Sequence, residues 1–179
     1  MSRTLRVASG AAVAAVLFAA TGVSSAMAQN KTALDPARDT NAPNDVIQVA
    51  VKDKGSRIDA VATYRDLRAG HLGASLNVNP GPSGGPEYAL MRFQDFDGRW
   101  KVTLWQVRGD RLVRKVRCPG KGVTADYRAD TITFRLPHKC TDRGTNPRRD
   151  HVQVVGGVQE GGGVRREYAP NKPLTLRRG

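Results

Sequence analysis

Residues 131–136 read Thr-Ile-Thr-Phe-Arg-Leu, so polar and apolar side chains alternate strictly along this segment. Successive side chains of an extended strand point to opposite faces of a sheet, and this alternation is therefore typical of a strand with one buried face. We expect Ile132, Phe134 and Leu136 in the core and the residues between them in solvent. The rest of the chain repeats this period of two and shows almost no helical period.

Similar alternation recurs in seven further segments, and about eight short strands of this kind predict an all-β fold. The architecture that we expect is an antiparallel β-sandwich or a jelly-roll-like barrel. Asp97-Gly98 predicts a tight hairpin turn, because these residue types tolerate a positive φ. The seven segments run through Ile47 to Val51, Ile58 to Tyr64, Leu76 to Val78, Glu87 to Gln94, Trp100 to Leu104, Leu112 to Cys118, and Val152 to Val154.

Residues 1–28 have the features of a cleaved signal peptide. Arg3 and Arg6 precede an apolar run that ends in Ala26-Met27-Ala28, the small-x-small pattern that signal peptidase recognises. The run is shorter than the ~20 residues that a membrane-spanning helix needs. We therefore predict a secreted, extracellular protein that is cleaved after Ala28 and is not stably inserted in a membrane.

The remaining chain predicts one domain with a tail at each end. Residues 29–44 are poor in apolar side chains and predict a flexible leader. Residues 45–160 carry the alternating segments and form the predicted β-sandwich domain. Residues 161–179 predict a basic C-terminal tail that either pairs as an edge strand through Leu174 and Leu176 or stays frayed. No second domain and no repeat is visible, and a monomer is expected.

Cys118 and Cys140 are the only cysteines. In an oxidising compartment an isolated pair predicts a structural disulfide. A catalytic thiol paired with His138 is the alternative. His138 and Cys140 are two residues apart, which places them on the same side of an extended chain but does not form a catalytic triad. The disulfide is therefore favoured.

The charge of the chain favours anionic partners. There are 29 Lys and Arg residues against 16 Asp and Glu, a formal net charge of +13, and the leader contributes two arginines and no acid. A field of this sign attracts anionic cell-wall or extracellular polymers and phospholipid surfaces. We do not expect a nucleic acid as the physiological partner. The alternative is that the cations are simply solvated and reflect an arginine-rich composition.

The predicted ligand-binding surface is the outward face of two neighbouring strands. If Leu104 points inward, Trp105 points outward, where cations of both strands surround its indole. A basic sheet with an exposed aromatic ring binds anionic sugars by stacking and charge. The alternative is that Trp105 is covered, since large aromatic residues are usually mostly buried. The predicted binding residues are Lys101, Trp105, Arg111, Lys115 and Arg117.

The sequence gives little support for a catalytic or metal site. Residues 81–85, Gly-Pro-Ser-Gly-Gly, match G-x-S-x-G, but Ser83 lies in a Gly- and Pro-rich loop with no buried strand pattern before it, so a flexible loop is favoured. His71, His138 and His151 lack zinc-ligand spacing and are interpreted as surface residues. We expect no cofactor and no metal ion. Asp95 and Asp97 are the weak metal candidates, but the complete calcium loop is absent and a hairpin turn is favoured there.

These observations favour a secreted, non-enzymatic binding protein and leave two alternatives open. The first is an enzyme or accessory protein that acts on an extracellular polymer through Glu87, Asp95 and Asp97. The second is a secreted protease inhibitor that presents the Gly- and Pro-rich loop at 79–86.

Several segments resemble a group of uncharacterised small secreted actinobacterial proteins. The resemblance covers residues 45–155, and it implies export, a β-rich domain and a disulfide but no activity. Members of the group often carry an aromatic residue after the second cysteine, where this chain has residues 145–149, Thr-Asn-Pro-Arg-Arg. The segments that carry the resemblance are Arg65-Asp66-Leu67, Cys118-Pro119-Gly120, Asp126-Tyr127, Ile132 to Cys140 and Asp150 to Val154.

Overall fold

The computed structural model describes residues 29–35, 44–68, 73–79, 86–109, 111–141, 149–157 and 167–177. Within these ranges the chain forms eleven β-strands and a short 3-10 helix at His138–Cys140. The predicted all-β fold is confirmed. None of the described residues belongs to a helix with the length and apolarity that crossing a membrane requires. The predicted signal peptide, residues 1–28, lies outside the described residues.

The strands follow one another along the chain with mostly short connections. Their bounds are β1 Asn30–Leu34, β2 Val46–Asp53, β3 Arg57–Tyr64, β4 Ala74–Val78, β5 Glu87–Gln94, β6 Trp100–Arg108, β7 Arg111–Val116, β8 Gly122–Asp126, β9 Thr131–Pro137, β10 Arg149–Gly156 and β11 Glu167–Arg177.

The strands form two antiparallel sheets. The order in the first sheet is β1-β2-β3-β9-β8, and the order in the second is β11-β10-β4-β5-β6-β7. The sheets contact each other, for example where β11 lies against β1 and β2. This is the predicted sandwich, with β7 and β8 as edge strands on one side and β1 and β11 as edge strands on the other.

The core between the sheets consists of the side chains that alternate inward. Ile132, Phe134 and Leu136 of β9 are fully buried, while Thr133 and Arg135 between them are exposed. The second sheet contributes residues such as Leu76, Leu90 and Leu104, which are also fully buried. Burying each such side chain stabilises the fold by about 1.5–3 kcal/mol.

The predicted disulfide is present between Cys118 and Cys140, whose Cα atoms are 5.4 Å apart. Cys118 follows β7 in the second sheet, and Cys140 ends the 3-10 helix that follows β9 in the first sheet. The bond therefore links the two sheets covalently.

Three strands were not among the eight predicted. The prediction of a flexible leader is wrong for Asn30–Leu34, which pairs with β2 as β1. The tail forms β11 and pairs with β10, so the edge-strand alternative is the one observed. β8 is short and holds Val123 and Ala125 only partly buried. These edge strands are held by main-chain pairing, which leaves a weak signal in the side-chain pattern.

The pairing of β6 with β7 contains a β-bulge at Val113, which has no partner opposite it. One extra residue reverses the face to which all residues beyond it point. The alternation predicted for β7 is correct after the bulge, where Val116 is buried. It is wrong before the bulge, where Leu112 pairs with Val107 on the outer face and Arg111 lies on the other face.

Candidate functional site

Edge strand β7 is the most cationic element of the described structure. Every residue of β7 except Val116 is exposed, and the exposed Arg117 follows directly. Among the described residues, no carboxylate forms an ion pair with the four cations of this strand, although Arg114 Nε donates a hydrogen bond to Gln106 Oε1 at 2.7 Å. We call these four cations the β7 cation set: Arg111, Arg114, Lys115 and Arg117.

Many cations elsewhere in the fold do have acidic partners. Lys54 Nζ is 2.6 Å from Asp59 Oδ2, and Arg57 Nε is 2.9 Å from Asp59 Oδ1. Arg65 Nη2 is 2.9 Å from Asp45 Oδ2. Because exposed ion pairs largely cancel each other's field at a distance, the β7 cation set contributes more net positive potential than these paired residues.

Trp105 lies on the outer face of the second sheet, as predicted from the alternation of β6. It is directly opposite Lys115, whose Nζ lies 5.0 Å from the centroid of the indole ring. The ring is only partly exposed and packs against a buried apolar cluster that includes Met91 and Phe93. Its Nε1–H is buried and has no hydrogen-bond acceptor within the part of the chain that the structure describes. The indole is therefore a packing element rather than an open stacking surface.

The five residues predicted to bind a ligand do not form one continuous face. Lys101 shares the outer face with Trp105, but its Nζ is 2.5 Å from Asp95 Oδ2. Arg111 pairs with Arg108 across the β6–β7 hairpin, on the face away from Lys115. The prediction that the five residues share one face is therefore wrong for Arg111, because the bulge reverses the facing of that end of the strand. Arg114, which was not predicted, joins the exposed cations instead.

Asp95 and Asp97, the weak metal candidates, belong to the β5–β6 hairpin turn. Asp95 Oδ1 accepts hydrogen bonds from the backbone N–H of Asp97 at 3.1 Å and of Arg99 at 2.8 Å. The hydrogen bond from Lys101, with that from the Arg99 amide, lowers the pKa of Asp95. Gly98 takes a φ of 75°, as the turn requires. Asp95 therefore caps the turn, in agreement with the hairpin interpretation.

The three acids of the enzyme alternative do not share a cleft. Glu87 begins β5 and Asp95 follows its last residue. At about 3.3 Å per strand residue, their backbones are about 26 Å apart. A paired-carboxylate glycosidase needs its two acids about 5 to 10 Å apart. Glu87 and Asp95 are thus too far apart for that mechanism.

Arg92 occupies an inward position of β5 that the alternation would assign to the core. Its guanidinium carbon lies 3.6 Å from the ring centroid of Trp100, and its Nη2 donates a 3.2 Å hydrogen bond to the hydroxyl of Tyr127. Arg92 is 7% exposed, whereas Trp100 and Tyr127 are 37% and 47% exposed. Tyr127 follows β8, so this cluster connects one end of the second sheet to the first.

A second polar cluster, entirely buried, lies in the sandwich near the disulfide. His138 Nε2 is 3.0 Å from Asp53 Oδ1, and His138 Nδ1 is 3.7 Å from Asp150 Oδ2. The exposed fractions of Asp53, His138 and Asp150 are 1%, 5% and 0%. The interpretation of His138 as a surface residue is therefore wrong, because the 3-10 helix after β9 turns its ring inward.

The sequence reasoning missed this buried cluster, because its members are far apart along the chain. Asp53 ends β2, His138 follows β9, and Asp150 is near the start of β10. Asp53 and Asp150 lie in strands. There, alternation predicts the face of the sheet to which a side chain points, but not which distant side chain it contacts. The one signal in the sequence is that Asp53 falls on the same face as Val49 and Val51, which is buried.

The chain was compared with known protein families, curated proteins and solved structures. No protein-family model, no curated protein and no solved structure matches the chain. The loop of the inhibitor alternative falls largely outside the described residues, at 80–85. The resemblance to secreted actinobacterial proteins stays a prediction.

Proposed function

We propose that the protein is a secreted, non-enzymatic binding protein of the cell envelope or the extracellular space, and that it associates with an anionic polymer along edge strand β7. The observation that supports this proposal is the β7 cation set, four exposed cations in seven residues without an acidic partner among the described residues. The formal net charge is +13 for the whole chain and 13 − 2 = +11 without the two arginines of residues 1–28, and it adds a long-range attraction of the same sign.

The bulge divides the β7 cation set evenly between the two faces of the strand. Lys115 and Arg117 follow the outer face of the second sheet, whereas Arg111 and Arg114 point to the other side. An extended polyanion that runs along the free edge of the strand contacts cations of both faces at once. The outward-facing main-chain N–H groups of an edge strand lie on the same path and can donate to anionic oxygens.

A repeating ligand compensates for the weakness of each contact. An exposed ion pair contributes only about 0.2–1 kcal/mol. Several linked contacts raise the affinity, because each later contact forms within the same complex. A polymer with one carboxylate or phosphate per repeat, such as a teichoic acid or an acidic polysaccharide, therefore fits this surface better than a small anion.

A purely structural role for the cations is the alternative that the experiment must separate. Lysine and arginine on an edge strand discourage edge-to-edge pairing between molecules. If that is their only role, neutralising them causes aggregation and leaves the affinity for polyanions at the level of other surface neutralisations.

The proposal is tested by comparing two variants with the same change of charge. In the first, all four members of the β7 cation set are replaced by Gln. In the control, four exposed cations outside β7 are replaced by Gln: Lys52, Arg128, Lys172 and Arg177. Both variants and the parent protein are applied to columns of teichoic acid, heparin, peptidoglycan and chitin and eluted with a salt gradient.

We expect the parent protein and the control variant to be retained on the anionic columns and released by salt, because charge-driven association weakens with ionic strength. The β7 variant should bind at least about tenfold more weakly at low salt. Equal losses in the two variants would assign binding to net charge rather than to β7. A parent protein that none of the columns retains would refute the proposal, provided that size-exclusion chromatography shows it monodisperse.

A further inference from the structure

Asp53, His138 and Asp150 meet inside the sandwich, and we propose that they bind a divalent metal ion, with Zn²⁺ as the ion that fits best. Asp53 and His138 come from the first sheet and its 3-10 helix, and Asp150 comes from the second sheet. All three are at least nine-tenths buried. The proposed ion therefore joins the two sheets from within, close to the Cys118–Cys140 disulfide.

The separation of the donor atoms matches that of two ligands on one ion. His138 Nδ1 and Asp150 Oδ2 are 3.7 Å apart, which is too long for a hydrogen bond. Two ligands that each lie ~2.1 Å from a tetrahedral zinc ion are about 3.4 Å apart. One ligand atom from each of the three residues lies within 4.8 Å of the other two. All three reach bonding distance of one ion when the Asp53 carboxylate leaves His138 Nε2 and turns toward the ion.

Two atoms of the cluster have no hydrogen-bond partner among the described residues although they are buried. They are His138 Nδ1 and Asp53 Oδ2. A buried nitrogen lone pair and a buried carboxylate oxygen without partners are costly, because both lose their hydration and gain nothing in return. A metal ion is one ligand that satisfies a lone pair on each of them simultaneously.

The surroundings of His138 orient the ring for this purpose. Asp53 Oδ1 lies 3.0 Å from Nε2 and also accepts the backbone N–H of Gly55 at 2.7 Å. Nδ1 is the ring nitrogen that faces Asp150, and Nε2 is the one that faces Asp53. An ion bound through Nδ1 therefore replaces Nε2 as the partner of the Asp53 carboxylate.

The backbone of the 3-10 helix is held as firmly as the ring. The N–H of His138 donates to the carbonyl of Ser56 at 3.0 Å. The His138 carbonyl accepts the backbone N–H of Thr141 at 2.8 Å and its hydroxyl at 3.0 Å. Rigid placement of a ligand residue reduces the entropy that would be lost on binding the ion.

The donor set selects the class of ion. One imidazole nitrogen with two carboxylates suits Zn²⁺ and related transition-metal ions, whereas Ca²⁺ and Mg²⁺ prefer six or more oxygen ligands. Two carboxylates also balance the charge of a divalent ion when His138 is neutral. Because the residues are buried, we assign the ion a structural role rather than a catalytic one.

The first test measures metal in the full exported chain. After dialysis against metal-free buffer, mass spectrometry of the metal content should find about one equivalent of Zn²⁺ per chain. Removal with EDTA should lower the Tm by about 5–10 °C, because a ligand that binds only the folded state stabilises it. Added Zn²⁺ should restore the Tm, and added Mg²⁺ should not.

The second test uses Asp150→Asn and His138→Gln, with His151→Gln as the matched control. His151 is next to Asp150 on β10 and is partly exposed, and its Nδ1 is 3.1 Å from the hydroxyl of Thr175. Both cluster variants should lose the bound zinc and the EDTA-sensitive part of the Tm. The control should keep one equivalent. Equal loss of zinc in His151→Gln would overturn the assignment to this cluster.

A measurement on the unmodified chain keeps the proposal testable if the cluster variants do not fold. Co²⁺ added to the chelator-treated protein should give a visible absorption band that saturates at one equivalent, and Zn²⁺ should displace it. The proposal is refuted if the parent protein holds less than about a tenth of an equivalent of any transition metal, shows no saturable Co²⁺ band and melts at the same temperature with EDTA and with Zn²⁺.

Discussion

Individual charges on the outer surface of the first sheet are arranged around acidic residues. Asp59 on β3 pairs with Lys54 and Arg57 and lies 3.9 Å from Arg135 Nε on β9. Asp59 thus has two close cations and one more distant cation on its own face of the sheet. The paired residues of the first sheet and the β7 cation set show that the electrostatic role of an arginine depends on its neighbours and not on its type.

The ion pairs of Asp59 make the free energy of unfolding depend on pH. Burial alone would raise the pKa of Asp59, but the hydrogen bonds and positive charges of Lys54 and Arg57 outweigh it and lower that pKa. A lowered pKa means that the contribution of Asp59 to stability is complete above the unfolded value of about 3.9. That contribution is lost as the pH falls further, through the pKa of the folded state.

We therefore predict that Asp59→Asn lowers the free energy of unfolding at pH 6 by about 1 kcal/mol. The difference from the parent protein should shrink below about pH 4, where the parent carboxylate also becomes protonated. Thermal denaturation of both proteins between pH 2 and pH 7 measures this. A difference in Tm that stays constant across the whole range would contradict the lowered pKa.

At the scale of elements, the β5–β6 hairpin depends on one glycine. Gly98 has a φ of 75°, and a Cβ built on it would meet only the side-chain amide of Gln94 at an ordinary contact distance of 3.6 Å. The obstacle to a side chain is therefore the backbone conformation and not a lack of space.

Gly98→Ala is predicted to destabilise the protein by about 1 kcal/mol, with a fall in Tm of about 2–4 °C. Gly122→Ala is the control, since no atom lies within 4 Å of a Cβ at Gly122 and no positive φ is found there. The control should leave the Tm unchanged or raise it slightly. Equal losses in the two alanine variants would show that the turn conformation is not the cause.

The bulge in β7 is an element-scale feature with a consequence for the surface. The extra residue at Val113 reverses the alternation of side chains, so residues before it point to the face opposite the one that an uninterrupted strand would give. Without it, Arg111, Lys115 and Arg117 would lie on one face, as the uninterrupted alternation predicts. With it, Arg111 joins Arg114 on the face opposite Lys115 and Arg117, so each face carries two cations, which favours a ligand that follows the edge.

At the scale of the whole molecule, two connections close the sandwich at its ends. Gln29 joins the N-terminal strand to both sheets: its carbonyl accepts the N–H of Asp53 at 3.0 Å, and its side-chain oxygen accepts the N–H of Arg177 at 2.5 Å. On the opposite edge, the disulfide ties the segment after β7 to the segment after β9. The first connection consists of one main-chain and one side-chain hydrogen bond, and the second is covalent.

Removing the disulfide with Cys118→Ser/Cys140→Ser is predicted to lower the free energy of unfolding. The loop between the cysteines spans 22 residues, and the loop-entropy estimate for this length is about 3 kcal/mol. The Tm should fall by about 6–12 °C. As a control, reducing agent should lower the Tm of the parent protein to that of the double variant and should not affect the variant. A parent Tm that does not change on reduction would contradict this role.

The sequence determined the features that depend on neighbouring residues alone. Alternation along each central strand follows from the geometry of an extended chain, so Ile132, Phe134 and Leu136 could be assigned to the core without coordinates. The two cysteines, in a chain for which the sequence predicts export, similarly indicated a disulfide between them. Edge strands β1, β8 and β11 escaped full prediction, because main-chain pairing stabilises a strand whatever its side-chain pattern.

Only the tertiary structure decided which distant groups meet. The bulge at Val113 depends on the register between two strands, and the burial of His138 depends on the helix turn that follows β9. Asp53, His138 and Asp150 come together because two sheets pack face to face, and no local pattern encodes that distance. The local sequence therefore determines which face of a strand each side chain occupies, and the packing of the two sheets determines which side chains meet in the candidate sites.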